Sequence, residues 1–337
     1  MNEKVFNDKE KTEMKQSIPL LTRGYAFKED KKLMPYYPSY LNLLKSGELE
    51  RRVEFSKKYL SPCTVCPRNC GANRLNNQKG ICLAGKDVRI SSYNLHYGEE
   101  PPISGTRGSG TIFFTGCSLK CVFCQNYPIS QLGNGNNYSN AQLADMMLEL
   151  QDLGAHNINL VTPTHFVPHI IEAVYIAAQK GLNIPLVYNT GGYDSIDMLK
   201  LLDGIVDIYL PDIKYASDEY AFRYSTVKNY VSINRQALIE MHRQVGELKL
   251  NKDGTALKGL IIRHLILPDD IAQTCESIKF IVQNLSTNTY ISLMRQYFPA
   301  HNAYKFRELS RHITATEYRA AIRCLEINGL DNGWIQE

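Results

Sequence analysis

Short apolar runs alternate along most of this chain with longer stretches whose apolar residues recur every three or four positions. TIFFT (111–115), INLVT (158–162), PLVYNT (185–190), IVDIYL (205–210), LKGLIIRHLIL (257–267) and TYISLM (289–294) read as strands. Each is a brief apolar run bounded by turn-forming residues. Helical periods fill the gaps. SNAQLADMMLELQDLG (139–154) predicts a helix with Ser139 as its N-cap and Gly154 as its stop. Further helices are expected to end at Gly181, Gly204 and Gly246, and to cover 271–285 and 304–328. ELKLN (247–251) is expected to pair with the strand 257–267 across Lys252-Asp253-Gly254, a hairpin turn signal.

Upstream the pattern weakens. Residues 1–36 are polar and without a clear period, and predict a loosely packed arm. Residues 37–60 predict a helix with Leu41, Leu44, Leu49 and Phe55 on one face. The segment 61–85 is dense in Cys, Pro, Asn, Arg and Gly, too short and polar to build a core of its own. The expected division is an arm and helix (1–60), a cysteine-rich metal-binding segment and linker (61–109), a core (110–303) and a helical tail (304–337).

Alternating strands and helices imply an α/β fold with a parallel sheet and right-handed crossovers. With about 110 residues used upstream, a partial, open (β/α)6 barrel carrying a cysteine-rich N-terminal extension fits better than a closed eightfold one. A doubly wound sheet is the alternative, but no GxGxxG follows any strand. In either fold, ligands sit at the C-terminal ends of the strands.

Composition narrows the function classes. The 337 residues, 44% hydrophobic, can bury a sizeable core. A net charge of +4, from 38 basic and 34 acidic residues, with no dense basic run, argues against a nucleic-acid partner. No apolar stretch has membrane-spanning length, and the start MNEKVFNDKEKTEMKQ lacks an apolar signal core. A cytoplasmic protein with no membrane partner is expected. Seven of the nine cysteines fall in two groups: Cys63, Cys66, Cys70 and Cys82, then Cys117, Cys121 and Cys124. Cys275 and Cys324 stand alone. In a reducing compartment, grouped cysteines read as metal ligands.

The first strand leads into TIFFTGCSLKCVFCQNY, which spaces Cys117, Cys121 and Cys124 as CxxxCxxC. Thiolates are the usual ligands of iron–sulfur clusters. A cubane has four irons, and three thiolates leave one open. An open iron can chelate the amino and carboxylate groups of S-adenosylmethionine (SAM). An electron from the cluster then cleaves the sulfonium and releases a 5′-deoxyadenosyl radical. A closed zinc site wants four ligands, and no fourth lies nearby in the sequence. Phe123 precedes the third cysteine, where an aromatic ring could cover the adenine.

This CxxxCx(aromatic)C motif, leading a run of βα units, resembles the radical SAM superfamily. Within it, the chain is similar to the branch containing pyruvate formate-lyase activating enzyme, over roughly residues 60 to 300. The resemblance implies several cofactor-binding residues. IVDIYLPDIKY resembles the family's Asp-x-Lys strand end, which places Asp212 and Lys214 near SAM, with a surface ion pair as the plainer reading. IIRHLILPDD resembles an Arg-containing strand, so Arg263 would face the SAM carboxylate or else a structural carboxylate. The second strand end of the family carries a Gly-Gly-Glu-type segment; here it reads VTPTHF, so Thr162 and Thr164 would substitute. YNTGGYD puts Asn189 beside Gly191 and Gly192, which either admit a ligand to the backbone or form a turn. His165, His169, His264 and His301 lie near strand ends or helix starts and are given no catalytic role.

The upstream run SPCTVCPRNCGANRLNNQKGICLAG offers Cys63, Cys66, Cys70 and Cys82 as a second metal site. It suits a structural zinc or an auxiliary 4Fe–4S cluster. Activating enzymes with a ferredoxin-like insertion carry it after the radical motif, and this chain does not. The linker HYGEEPPISGTRGSG (96–110), with Glu99 and Glu100 beside two prolines, is expected either to reach over the active site or to cover the barrel's open side. The resulting expectation is an enzyme whose radical abstracts hydrogen from a protein or peptide, with an external one-electron donor of flavodoxin or ferredoxin type. A small-molecule substrate, or an iron–sulfur electron carrier without SAM turnover, are the alternatives.

Overall fold

The computed structural model describes residues 36–336, so all but the last residue of the expected arm 1–36 lies outside the described residues. Strand order in the sheet is β3–β1–β2–β4–β5–β6–β8–β9–β10. The strands are β1 (Val88–His96), β2 (Ser109–Phe114), β3 (Asn136–Tyr138), β4 (Ile158–Val161), β5 (Leu186–Thr190), β6 (Ile208–Pro211), β7 (Lys249–Leu250), β8 (Ala256–Leu265), β9 (Tyr290–Met294) and β10 (Gly333–Gln336). From β2 to β10 every neighbour along this path is parallel. The two ends of the sheet, β3 and β10, do not pair. This is the open parallel sheet that the sequence predicts, and the six expected core strands are all present.

The sheet has two apolar faces because alternate residues point to opposite sides. Ile158, Leu160, Leu186, Tyr188, Ile262 and Leu293 face the helices and belong to the main core. Val187, Ile208, Leu210 and Ile261 face the other way and form a separate inner cluster with Ile103 and Ala256. By the same alternation Asn159, Asn189 and Arg263 lie on the inner face. The helix Asn140–Asp152 begins with a capping box between Ser139 and Gln142, as the sequence suggests. β7 pairs antiparallel with β8, which is the expected hairpin.

Several features differ from expectation. β1 joins β2 antiparallel and holds β3 on its far side. β3 is Asn-Asn-Tyr, so no apolar run announces it; pairing with Val88–Ile90 makes it a strand. β10 extends the parallel sheet beyond the tail helix Ala315–Asn328. The expected helix 37–60 breaks at Gly47, whose φ of 76° is left-handed, into Tyr40–Lys45 and Glu48–Ser56. The buried stripe of the second piece is Leu49, Val53 and Ser56. Phe55 is 42% exposed, because it follows Val53 by two positions and so faces away from that stripe. Cys275 and Cys324, solitary in sequence, form a disulfide between the helices Thr274–Asn284 and Ala315–Asn328, with Cα atoms 5.2 Å apart.

The linker 96–110 neither spans the open side nor arches over the strand ends. It turns inward as a short helix, Pro101–Ser104. Ile103 is fully buried against the inner faces of β5, β6 and β8. Asn157, just before β4, donates to Ile103 O at 2.8 Å. Gly105 (φ +49°) lies so close to the chain that an added Cβ would fall 2.5 Å from Thr255, just before β8, and 2.7 Å from His156. The linker therefore floors the barrel where its strands begin. No helix among the described residues is long and apolar enough to cross a membrane.

If Ile103 is that floor, Ile103→Ala should lower stability by about 2–5 kcal/mol in chemical denaturation, the cost of an unfilled core site. A loss below about 0.5 kcal/mol would mean the linker lies at the surface.

Candidate active site

The three-cysteine loop begins directly after β2. Gly116 makes its start possible. Its φ is +92°, and a Cβ there would sit 2.0 Å from Cys82 O and 3.3 Å from His165 Nε2. Only glycine lets the loop pass so close to the upstream cysteine segment. Beyond it Cys121 is buried, and Cys117 and Cys124 are half-buried. Each sulfur has a polar neighbour. Ser225 Oγ donates to Cys121 Sγ at 2.9 Å, Leu119 N to Cys117 Sγ at 3.3 Å, and Ser130 Oγ lies 3.2 Å from Cys124 Sγ. The helix Asp218–Ser225 pins the loop backbone, as Lys120 N donates to Ser225 O and Val122 N to Tyr224 O.

Burial pushes the Cys117 and Cys121 thiols up, and the Lys214 ammonium partly offsets this at both. Such thiols ionise readily only against a bound cation. Among the described residues no three His, Cys, Asp or Glu side chains converge on one ion. A cubane does not require convergence, because each thiolate binds a different iron. The donor set of three thiols, with hydroxyl and amide donors behind them, fits a 4Fe–4S cluster with one open iron.

Beside the loop, four of the expected residues meet at the ends of β5, β6 and β8. Arg263 Nε donates to Asp212 Oδ1 at 2.9 Å, and its Nη2 donates to Asn189 Oδ1 at 2.6 Å. Lys214 Nζ donates to Asp212 Oδ2 at 2.5 Å. Burial alone would raise the Asp212 carboxyl, but Arg263 and then Lys214 hold it below the usual carboxylate range. Burial likewise opposes the Lys214 charge, and Asp212 more than restores it. The side chains of Arg263 and Lys214 keep 19% exposure and that of Asp212 11%, so the network opens at the strand ends and is no surface pair. Tyr230 braces it, accepting from Lys214 N and donating to Gly191 O.

The other expected residues are placed differently. Thr162 has φ +59°, a strained conformation for a β-branched residue, and its N–H donates to Asn189 O at 2.8 Å. The bend thus sits where the family carries glycines. Thr164 turns to the buried Asp194, donating at 2.8 Å, and Tyr188 and Thr190 donate to the same carboxylate. Its hydroxyl is engaged inside the protein. Phe123 is 5% exposed and lies edge-on to Tyr215 and Tyr297, at 6.4 and 6.0 Å. It is a wedge in an aromatic cluster rather than an open face. Gly191 and Gly192 meet protein: a Cβ on Gly192 would be 2.2 Å from Asp212 O, and one on Gly191 2.8 Å from Leu119. They serve the turn.

Burial lowers His165 and His169 to about 3 and His264 to about 4. His165 and His169 each donate to a backbone carbonyl, of Thr115 and Lys86, and His264 is bonded to Ile213 O and Thr274 Oγ1. They are neutral packed residues, and His301 stacks on Tyr127 at 4.8 Å.

The upstream cysteines lie against this site. Cys63, Cys66 and Cys82 are buried and Cys70 is exposed. Burial, and then the neighbouring Cys82, Cys63 and Cys70, push the Cys66 thiol up to about 12. All four thiols are therefore in one another's field. Arg74, 1% exposed, lies over the Phe166 ring and donates to Gly85 O and His165 O; its charge partly offsets burial at Cys63 and Cys82. Arg68 bridges the two cysteine groups. It donates to Ser118 O inside the catalytic loop at 2.9 Å and to Thr226 O and Oγ1 beside Ser225. Ser225, Ser130, Arg68 and Arg74 are missed by sequence reasoning, because nothing local marks a partner that lies 104 residues away, as Ser225 does from Cys121.

Because Asp212 is depressed, its contribution to stability is fully present above the unfolded carboxylate value of about 4 and is lost as pH falls through the lower folded value. Asp212→Asn should flatten that acid-side loss in pH-dependent denaturation. A profile with the wild-type slope would show that Asp212 is not held by its two cations.

Comparison with known proteins gives a family match, a curated relative and several solved structures. The Radical SAM superfamily model matches residues 111–276. Protein MJ0674 of Methanocaldococcus jannaschii is 33% identical over 301 residues, covering 86% of this chain and 82% of that protein. Among solved structures, SuiB of Streptococcus suis bound to S-adenosylmethionine aligns with 66% of this chain at 13% identity and TM-score 0.42, and the match spans only 45% of SuiB. Methylornithine synthase (PylB) aligns with 65% of this chain and 68% of its own, at 16% identity and TM-score 0.42. TYW1 with a lysine–pyruvate adduct bound aligns with 65% and 73%, at 12% identity and TM-score 0.41. With three cysteines on the loop after the first parallel strand and a family match that runs through five parallel strands of the sheet, the chain belongs to the radical SAM superfamily.

Proposed function

We propose that this radical SAM enzyme cleaves SAM reductively and directs the radical to a hydrogen atom of a protein or peptide, in the manner of an activating enzyme. The observation that carries the reading is the junction of the three-thiol loop with the Asn189–Arg263–Asp212–Lys214 network. When bound, the cluster and SAM supply a 5′-deoxyadenosyl radical.

The chain's own residues do the rest. Cys117, Cys121 and Cys124 would ligate three irons, and the Ser225 hydroxyl and the Lys214 ammonium soften the negative charge on Cys121. Arg263 is positioned for a carboxylate, and Asn189 fixes the plane of its guanidinium. The bend at Thr162 offers backbone groups at the neighbouring strand end. The aromatic packing of Phe123, Tyr215 and Tyr297 shields the loop from water. A macromolecular substrate is supported by the unpaired sheet ends β3 and β10, which leave the barrel open.

For Cys63, Cys66, Cys70 and Cys82 we favour a second 4Fe–4S cluster over zinc. Their thiols share one field, and the exposed Cys70 would face an external donor of flavodoxin or ferredoxin type, a route for electrons that zinc would not provide. The seven grouped cysteines are unbridged and suit a reducing, cytoplasmic setting, with Cys275–Cys324 the one pair that is oxidised among the described residues.

Anaerobically purified protein with dithionite should release 5′-deoxyadenosine from SAM, and a variant with alanine at Cys117, Cys121 and Cys124 should release none. Metal analysis should find about eight irons, falling to about four in the variant. About four irons with one zinc would overturn the second cluster, and iron-free protein after reconstitution would overturn the function. Arg263→Ala should weaken SAM binding about 10-fold or more, the loss of a charge-assisted contact, with cluster absorbance intact; unchanged affinity would remove Arg263 from the SAM site.

A further inference from the structure

The barrel interior holds acids and an amide that neither the cysteine loop nor the SAM network uses. Glu100 is 2% exposed, and its Oε2 has no hydrogen-bond partner. Asn159 is fully buried; no bond to its Nδ2 or Oδ1 meets full hydrogen-bond geometry, although the Glu99 carboxyl lies within its reach. Asn159 faces inward from β4, between Thr111 of β2 and Val187 of β5. Glu99 lies beside it. Burial pushes the Glu99 carboxyl up, and Arg263 and Asn159 offset part of that rise. Both glutamates lie within the field of Arg263. Neither is among the ion pairs of the described residues, and Arg263 is tied to Asp212 and Asn189 instead.

The placement is built. Ile103 seats the segment in the barrel floor. Glu99 N donates to Ser104 Oγ at 3.0 Å, and Ile103 N donates to Glu100 O at 2.8 Å. These bonds fix the backbone of the two glutamates, and their carboxylates lie within the field of Arg263. A buried acceptor left without a donor carries its full desolvation cost, and native proteins leave few such groups. Here a carboxylate oxygen of Glu100 is left so, and the Asn159 amide beside Glu99 has no partner of full geometry. Ionised carboxylates only accept hydrogen bonds. The group that satisfies two of them and an amide oxygen must therefore bring several N–H donors, and positive charge suits it best.

We infer that Glu99, Glu100 and Asn159 form a subsite for an ammonium or guanidinium group of the substrate, on the barrel floor beneath Arg263. This rests on the proposed function. For a peptide substrate the group is a lysine or arginine side chain, and for a small one it is a free amine.

The test is calorimetric titration of the anaerobic, cluster-loaded full chain, with and without SAM. The probes are butylammonium, butylguanidinium and butanol, and acetylated tripeptide amides with Lys, Arg or norleucine between two glycines. A cationic probe should bind, and its uncharged counterpart should bind at least ten-fold more weakly. Glu100→Gln and Glu99→Gln should each lose ten-fold or more of that affinity, with thermal midpoint and cluster absorbance like the wild type. Preference for the peptides would identify a polypeptide side chain as the source, and equal binding of the alkyl probes a free amine; either supports the subsite. Absence of cation binding, equal binding of the neutral probes, or variants that bind like the wild type would overturn it. Loss of SAM uptake by the wild type would count against the proposed function alone, because the SAM-free titration still decides the subsite.

Discussion

The buried charges at the strand ends govern the rest of this structure. Arg263, Asp212 and Lys214 are drawn from β8 and the segment following β6, and Asn189 adds β5. Charges so largely withdrawn from water, with 19% of the Arg263 and Lys214 side chains and 11% of Asp212 exposed, are stable only when each is paired with good geometry. That requirement fixes how three neighbouring strands end relative to one another. It also sets a positive field beside Cys121, which offsets part of the burial that pushes that thiol up. The relative ends of these strands and the field beside Cys121 thus depend on one carboxylate shared between two cations.

The sequence made the parallel core legible because its strands are buried on both faces and read as dense apolar runs between helical periods. The residues of the charge network were legible through the family resemblance, since each stands at a strand end with a recognisable neighbour. The packing of Thr164 and Phe123 was not legible, for a physical reason: tertiary partners claim both side chains. Asp194 takes the Thr164 hydroxyl, and Tyr215 and Tyr297 enclose the Phe123 ring. The edge strands were hidden for a different reason. β3 has no apolar residue except Tyr138, and its existence depends on register with β1. The turn of the linker into the barrel could not be foreseen either, because Ile103 is one apolar residue among prolines and glycines, and only its pocket reveals its role.

The inner face of the sheet is graded from apolar to charged. Ile103, Val187, Ile208 and Ile261 fill its lower part, and Asn189 and Arg263 stand above them on the same strands. Dry packing below strengthens electrostatic contacts above, because fewer waters compete for them. The glutamates of the linker interrupt that gradient, and they are held by the same short helix that completes the apolar floor.

The approach of Gly116 to Cys82 makes two sequence-distant segments one mechanical part. Modules that touch through side chains can drift apart by small compensating substitutions. Here a backbone carbonyl rests where a side chain would begin, so no such drift is open at this point. The upstream cysteine segment is consequently not an interchangeable attachment: a chain that discarded it, or grafted another in its place, would have to redesign the entry to its own catalytic loop.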